Sequence, residues 1–236
     1  MSVIELGSPP FVTPKLKRAV GTAVDFPEAF GNEQLLKRAL SALQRGPIRF
    51  QRDNVIACEG DAADYMFLVI SGVVRHCKTF QNGTRIIVTF YLPGDLFGST
   101  GANHHFSVEA ASDAMVLFIK RSALHSIATR ECRIVNFLLA ITTNELRRAQ
   151  EYALLMSKDA KCRVATFLTD FWARLGKPNC LDFPMSHQDI ADHLGLTIET
   201  LSRTITNLER SGIVVRTPPR SSLSLLNPAL LARMMN

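Results

Sequence analysis

The period of the hydrophobic pattern changes along the chain, and each change marks an expected element. The first residues, 1–29, carry Pro9, Pro10, Pro14 and Pro27 with few helical signals, and read as an extended tail. A short helix is expected from Asn32 to about Gln44, ended by Gly46 and Pro47. From Ile48 to about Ile119 the pattern shifts to short runs rich in Val, Ile and Phe, among them YMFLVISG, GVVRHCKTF and RIIVTFYLPGD. Asn82-Gly83 between the last two is a strong hairpin signal. Several strands at such spacing predict a roll or barrel over residues 30–121. A segment without Gly or Pro follows from about Ser122 to Met156 and reads as one long helix, residues 122–157. Along it Val135, Leu139, Thr142, Leu146, Ala149, Ala153 and Met156 recur at alternating steps of four and three, a coiled-coil spacing that predicts pairing with a second chain. A second stripe, Ile134, Leu138 and Ile141, lies beside it and is free to face the β domain; burial within one chain is the alternative for both stripes.

The remaining residues, 158–236, contain the most informative pattern. Ser186 and Asp189 form a capping box, after which Ile190, Ala191 and Leu194 make one apolar face. Gly195 supplies a tight turn, Thr197 caps a second helix and Gly212 stops it. On that second helix Leu201, Ile205 and Leu208 point one way, while Glu199, Ser202, Arg203 and Thr206 point the other. The spacing predicts a helix-turn-helix, and its outward row suits a major groove. Arg bonds guanine bidentately, Glu accepts from cytosine N4, and Ser or Thr serves either edge. An ordinary amphipathic helix pair carrying a Glu–Arg ion pair is the competing explanation. The run GIVVRTPPRSSLSLL then predicts a small hairpin, which completes a winged helix. The fold class is therefore α+β.

Charge sharpens this picture. The 236 residues carry 27 Lys and Arg against 21 Asp and Glu, a formal charge of +6, which suits a polyanionic partner. Lys158, Lys161 and Arg163 precede the two-helix unit, and Arg203, Arg210, Arg216 and Arg220 lie in or after it. The five cysteines are scattered and odd in number, with no CxxC, which points to a reducing cytoplasm rather than a disulfide framework. The start lacks a signal-peptide pattern, and no apolar run is long enough to span a bilayer. No Walker A loop, HExxH or GxSxG occurs, so an enzyme is not expected.

Two segments of the chain resemble the CRP/FNR family of bacterial transcription regulators. GDAADYMFLVISGVVR and YLPGDLFG are similar to its cyclic-nucleotide-binding-type β-roll (a jelly roll), whose turn glycines fall here at Gly60, Gly72, Gly94 and Gly98. LTIETLSRTITNLERSGIV is similar to the FNR-type recognition helix, whose ExxSR signature falls on Glu199, Ser202 and Arg203. The resemblance implies a homodimer on double-stranded DNA, with half-sites beginning TTG and paired with CAA, and a contact with RNA polymerase through surfaces such as the hairpin around Phe80 to Thr84. It assigns Arg203 to the guanine, Glu199 to base edges opposite, Ser202 to a base or phosphate and Ile198 to a thymine methyl. Thr206, with Thr197, Ser186 and His187 at the two helix starts, completes the expected contact set.

The departures from the family concern the signal. Where cyclic-AMP binders place a ribose-binding Glu and a phosphate-binding Arg, this chain has Ser99, no Arg between Arg85 and Arg121, and Phe106 near the expected Arg. A cyclic phosphate would meet no cation there. No cysteine precedes Cys58, so the ligand set of an iron–sulfur cluster is missing. His76, His104 and His105 leave a haem- or ligand-gated regulator as the open alternative, although surface or packed roles suit them better. A metal site at His104, His105 and Glu109 matches no standard spacing. The expectation is a FixK-like regulator without cofactor or metal. Cys180, just before the two-helix unit and between basic segments, is a candidate redox position, with an unreactive loop cysteine as the alternative.

Overall fold

The computed structural model describes residues 44–98, 101–130, 132–176, 181–217 and 222–234. Eight strands open the described chain: β1 (Gln44–Phe50), β2 (Val55–Ala57), β3 (Tyr65–Ser71), β4 (Val74–Thr79), β5 (Arg85–Tyr91), β6 (Leu96–Phe97), β7 (Ser107–Ala110) and β8 (Ala114–Lys120). They form two antiparallel four-stranded sheets, in the orders β1-β8-β3-β6 and β2-β7-β4-β5. Strand alternation explains why β3 is nearly continuous in apolar residues. Phe67 and Val69 point into the roll with Val74, Tyr91, Phe97, Val108 and Val116. Met66 and Leu68 point out of it, into a second cluster with Leu117, Ile119, Leu124 and Ile134. A sheet buried on both faces needs no polar alternate positions. Asn82-Gly83 does form the β4–β5 hairpin: Phe80 N–H donates to Thr84 O at 2.9 Å, and Thr84 N–H donates to Asn82 Oδ1 at 2.9 Å.

Two expectations need correction. Gln44 does not end a helix but begins β1, which runs through Gly46 and Pro47; residues 32–43 lie outside the described part. β1 is an edge strand whose register shifts between Arg45 and Ile48, and a shifted edge tolerates a proline without an N–H. The long helix is also two helices, α1 (Arg121–Ala128) and α2 (Cys132–Met156). Leu124 and Ile134 are both buried in the outer cluster beneath the roll. Ten residues apart, they would be about 15 Å apart along a straight helix and on different faces, so the chain turns between them.

The C-terminal part comprises α3 (Ala160–Arg174), β9 (Leu181–Asp182), α4 (His187–Leu194), α5 (Ile198–Arg210), β10 (Val214–Thr217), β11 (Ser222–Leu225) and α6 (Pro228–Arg233). β10 pairs with β11 in register from Val214↔Leu225, the expected wing, and β9 adds a third strand that sequence reading did not separate. Asp159 caps α3, accepting from the Cys162 amide at 2.8 Å. Buried residues of this domain, including Phe167, Phe171, Phe183 and Ile190, share one apolar cluster with Cys77, Ile87, Phe90 and Leu92 of the roll. The helix-turn-helix domain is therefore seated on the roll rather than tethered beside it. No helix among the described residues is long and apolar enough to cross a membrane.

Candidate nucleic-acid interface

The helix-turn-helix forms as its spacing predicts. Ser186 Oγ accepts from the Asp189 amide at 3.0 Å, and Asp189 Oδ2 accepts from the Ser186 amide at 3.3 Å, closing the capping box of α4. Gly195 ends α4 in the left-handed region, at φ 60° and ψ 39°, where a side chain is disfavoured. Thr197 Oγ1 accepts from the Thr200 amide at 3.2 Å and starts α5. Leu201, Ile205 and Leu208 are buried, so the opposite face of α5 is turned outward.

On that outer face Glu199, Ser202 and Arg203 are exposed, and Ile198 and Thr197 beside them are exposed too. Glu199 bonds its own backbone amide and the Thr197 hydroxyl, which hold its carboxyl below the usual range and therefore ionised. Thr206 is half-buried: it donates to Ser202 O at 2.9 Å and accepts from Arg216 Nη2 of the wing at 3.2 Å. Ser186 is half-buried with its oxygen engaged in the cap, while His187 next to it is exposed. The structure thus brings Thr197, Ile198, Glu199, Ser202 and Arg203 onto one surface, with Thr206 at its border.

Two basic residues do something that their sequence position did not reveal. Arg163 donates to Met156 O at 2.8 Å, Lys158 O at 2.8 Å and Leu194 O at 3.0 Å, so it staples the end of α2 to α3 and to the last turn of α4. Cations at helix C-termini are stabilising, and here one side chain serves two of them. Arg216 joins the wing to α5 through Thr206 and Glu209. Neither pairing has a local signal, because Arg163 binds backbone carbonyls and Arg216 reaches back across the turn between α5 and β10.

The two stripes of α2 differ in exposure. Ile134 is buried, and Leu138 and Ile141 are half-buried against the outer cluster of the roll. Val135, Leu139 and Leu146 are 48%, 63% and 58% exposed, and Ala149 and Ala153 are exposed with them. Thr142 and Met156 are half-buried, with the Met156 sulfur beside Gly195. Leu154, outside the expected stripe, is 68% exposed.

Inside the roll, aromatic rings occupy the space between the sheets. His76 lies against Tyr91, Phe97 and Phe106, and Tyr91 stacks on Phe97 with centroids 3.8 Å apart. Burial pushes the His76 imidazole down to about 3, so it is neutral. Its Nδ1 lies 3.4 Å from the Tyr91 hydroxyl, which donates to Glu145 Oε1 on α2 at 3.3 Å. His104 packs on Phe67, and burial lowers its pKa also. Glu109 pairs with Arg75, and among the described residues no three His, Cys, Asp or Glu side chains gather as a metal site. Ser99 and Cys180 lie outside the described residues.

Two family models match the chain: a cyclic nucleotide-binding domain over residues 47–131 and a Crp-like helix-turn-helix domain over residues 162–234. The nitrogen fixation regulation protein FixK of Azorhizobium caulinodans is 43% identical over 175 residues, 71% of each chain. FixK of Rhizobium meliloti is 35% identical over 183 residues, 77% of this chain and 83% of that protein. The structure of FixK2 from Bradyrhizobium japonicum superposes with a TM-score of 0.77 at 36% identity, covering 80% of this chain and 96% of that one.

Proposed function

Because the chain belongs to the CRP/FNR family of transcription regulators, on its FixK-like branch, we propose that it works as an effector-independent homodimer on a TTG…CAA palindrome. The observation that carries this reading is the outward row of α5. Glu199, Ser202 and Arg203 are exposed together while the apolar side of the same helix is buried. In this reading Arg203 bonds guanine O6 and N7, Glu199 accepts from a cytosine amino group, and Ile198 touches a thymine methyl. Thr197, Ser202 and His187 contribute base or phosphate contacts, with Ser186 and Thr206 holding the surface in shape.

The exposed stripe from Val135 to Ala153 is the dimer seam. Each fully buried Leu contributes about 1.5–3 kcal/mol, so Leu139 and Leu146 from two chains supply a substantial association energy. Two-fold pairing of the α2 helices places one recognition helix in each of two successive major grooves. Effector independence rests on the aromatic packing of the roll, where His76, Tyr91 and Phe97 pack together and half-buried Phe106 stacks on His76. The regulator activates transcription in the cytoplasm by touching RNA polymerase, and the exposed Phe80 and Ile86 on the β4–β5 hairpin form one contact surface. It has no catalytic role.

The test is binding of purified protein, with no ligand added, to a TTG…CAA palindrome and to a scrambled duplex. Selective binding by a colourless dimer is the expected result. A visible haem or iron–sulfur spectrum, or selectivity that appears only after a small molecule is added, would instead establish gated regulation.

A further inference from the structure

The seat of the helix-turn-helix on the roll contains a buried charge cluster with no part in the reading above. Arg75 on β4 is 3% exposed and Asp189 on α4 is 1% exposed. Arg75 Nη1 donates to both Asp189 oxygens, at 2.9 and 3.0 Å, while Nη2 reaches Asp53 at 2.9 Å and Glu109 at 2.7 Å. Asp189 accepts from a second arginine, Arg85 Nη2, at 2.6 Å, and Arg85 Nε donates to Asp192 at 2.7 Å, one turn along α4. Beside this cluster, His193 Nδ1 lies 3.0 Å from Ile87 O, and Arg52 donates to Pro184 O at 3.2 Å.

We infer that Arg75, Arg85, Asp189 and Asp192 form a mount that sets the direction in which α5 presents Glu199, Ser202 and Arg203. They are positioning residues for DNA reading, and this inference rests on the two-fold palindrome proposed above. Three observations carry it. Asp189 belongs at once to the cap of α4 and to the ion cluster, so the start of α4 cannot turn without breaking both. The far end of α4 is held by Arg163 through Leu194 O, so the helix is pinned at both ends. α5 follows directly across Gly195, so its direction is inherited from α4. A domain that swung free would leave Arg75 and Asp189 without each other and would uncover Ile87, Phe90 and Phe167. In the held posture the outer face of α5 stays open to solvent, so the mount keeps the reading face available.

A fixed mount makes a specific demand on the DNA. Two rigidly held heads accept one half-site spacing, whereas two heads on loose tethers accept several and lose orientational freedom at each. A merely stabilising cluster would not affect spacing preference. Arg85 and Asp192 suit the test because they stand outside the capping box and off the α5 surface. Wild type, Arg85→Asp, Asp192→Arg and the double exchange are each titrated with TTG…CAA duplexes of varied half-site spacing and with a duplex carrying one half-site. Thermal unfolding and sedimentation are run on the same samples.

Wild type is expected to favour one spacing. Each single variant should lose roughly tenfold or more in affinity at that spacing, change less on the single half-site, and accept neighbouring spacings nearly equally. The double exchange restores the pair between 85 and 192 but sets a carboxylate beside Asp189, so it should recover the preference in part, above either single variant. Arg85→Gln carries the same expectation if Arg85→Asp does not fold. Variants with wild-type affinity and spacing preference, or with tighter binding, would overturn the mount while leaving the regulator reading intact. Wild type that does not distinguish the palindrome from scrambled DNA would overturn both.

Discussion

Arg203 is the residue on which the sequence and the structure agree most directly, since its position on the outer row of α5 follows from helix period alone and it is exposed there. On the proposed reading, Arg203→Ala costs roughly 1–3 kcal/mol of DNA binding and relaxes preference at the G·C pair; an equal loss on all duplexes would make it a phosphate contact instead. Gly72 makes a different kind of demand. It sits at φ +76°, and a Cβ there would lie 2.1 Å from Asp113 O. Backbone strain and the clash together predict that Gly72→Ala destabilises the roll by on the order of 3 kcal/mol, read by urea unfolding. His193 predicts a pH dependence. Burial pushes its imidazole from the ordinary 6.5 down to about 4, against Ile87 O and the rings of Phe90 and Tyr152. The unfolded chain therefore takes up the proton first as pH falls. Stability is full above about 6.5 and is lost between there and about 4. The slope is roughly 1.4 kcal/mol per pH unit for each such histidine, and His76 adds to it. Replacing His193 by Gln should flatten the decline of Tm between neutral and mildly acid pH, and an unchanged slope would remove His193 from the account.

Among the elements, α4 and α5 were legible down to their caps, because every signal that specifies them is local: Ser186 with Asp189, Gly195, Thr197 and three apolar positions in α5. The β4–β5 hairpin was legible for the same reason, through Asn82-Gly83. The break between α1 and α2 was not, since no Gly or Pro marks it and the turn is imposed by Leu124 and Ile134 entering one cluster. Gln44 to Pro47 misled for a related reason: a Gly-Pro that would end a helix is also tolerated on a shifted edge strand. α2 carries the prediction that belongs to this scale. Its exposed stripe and its roll-facing stripe lie on different sides, so the two can be tested apart. Leu139→Glu with Leu146→Glu should shift the protein to monomer in sedimentation and cost at least about tenfold in palindrome affinity, with helix content unchanged by circular dichroism. A dimer that persists would place the seam elsewhere.

For the whole molecule, the seating of the helix-turn-helix on the roll is the organising feature. One apolar cluster runs from Cys77 and Phe90 of the roll to Phe167 and Ile190 of the head, and charged pairs cross the same boundary. With Tyr91 stacked on Phe97 and Phe106 on His76 in the roll, the expected outcome at this scale is selective DNA binding by ligand-free protein that cyclic AMP changes by less than about twofold, measured by fluorescence anisotropy. The sequence by itself determined the winged helix-turn-helix, the roll and the outward row Glu199, Ser202 and Arg203, because those depend on period, caps and turn residues a few positions apart; the family rested on the resemblance of two segments. Only the tertiary structure decided that Asp189 holds Arg75 and Arg85, that Arg163 joins two helix ends, and that Phe106 stacks on His76. Those partners are brought together by the packing of separate layers, and an ion pair between residues 114 positions apart leaves no trace in either one's local pattern.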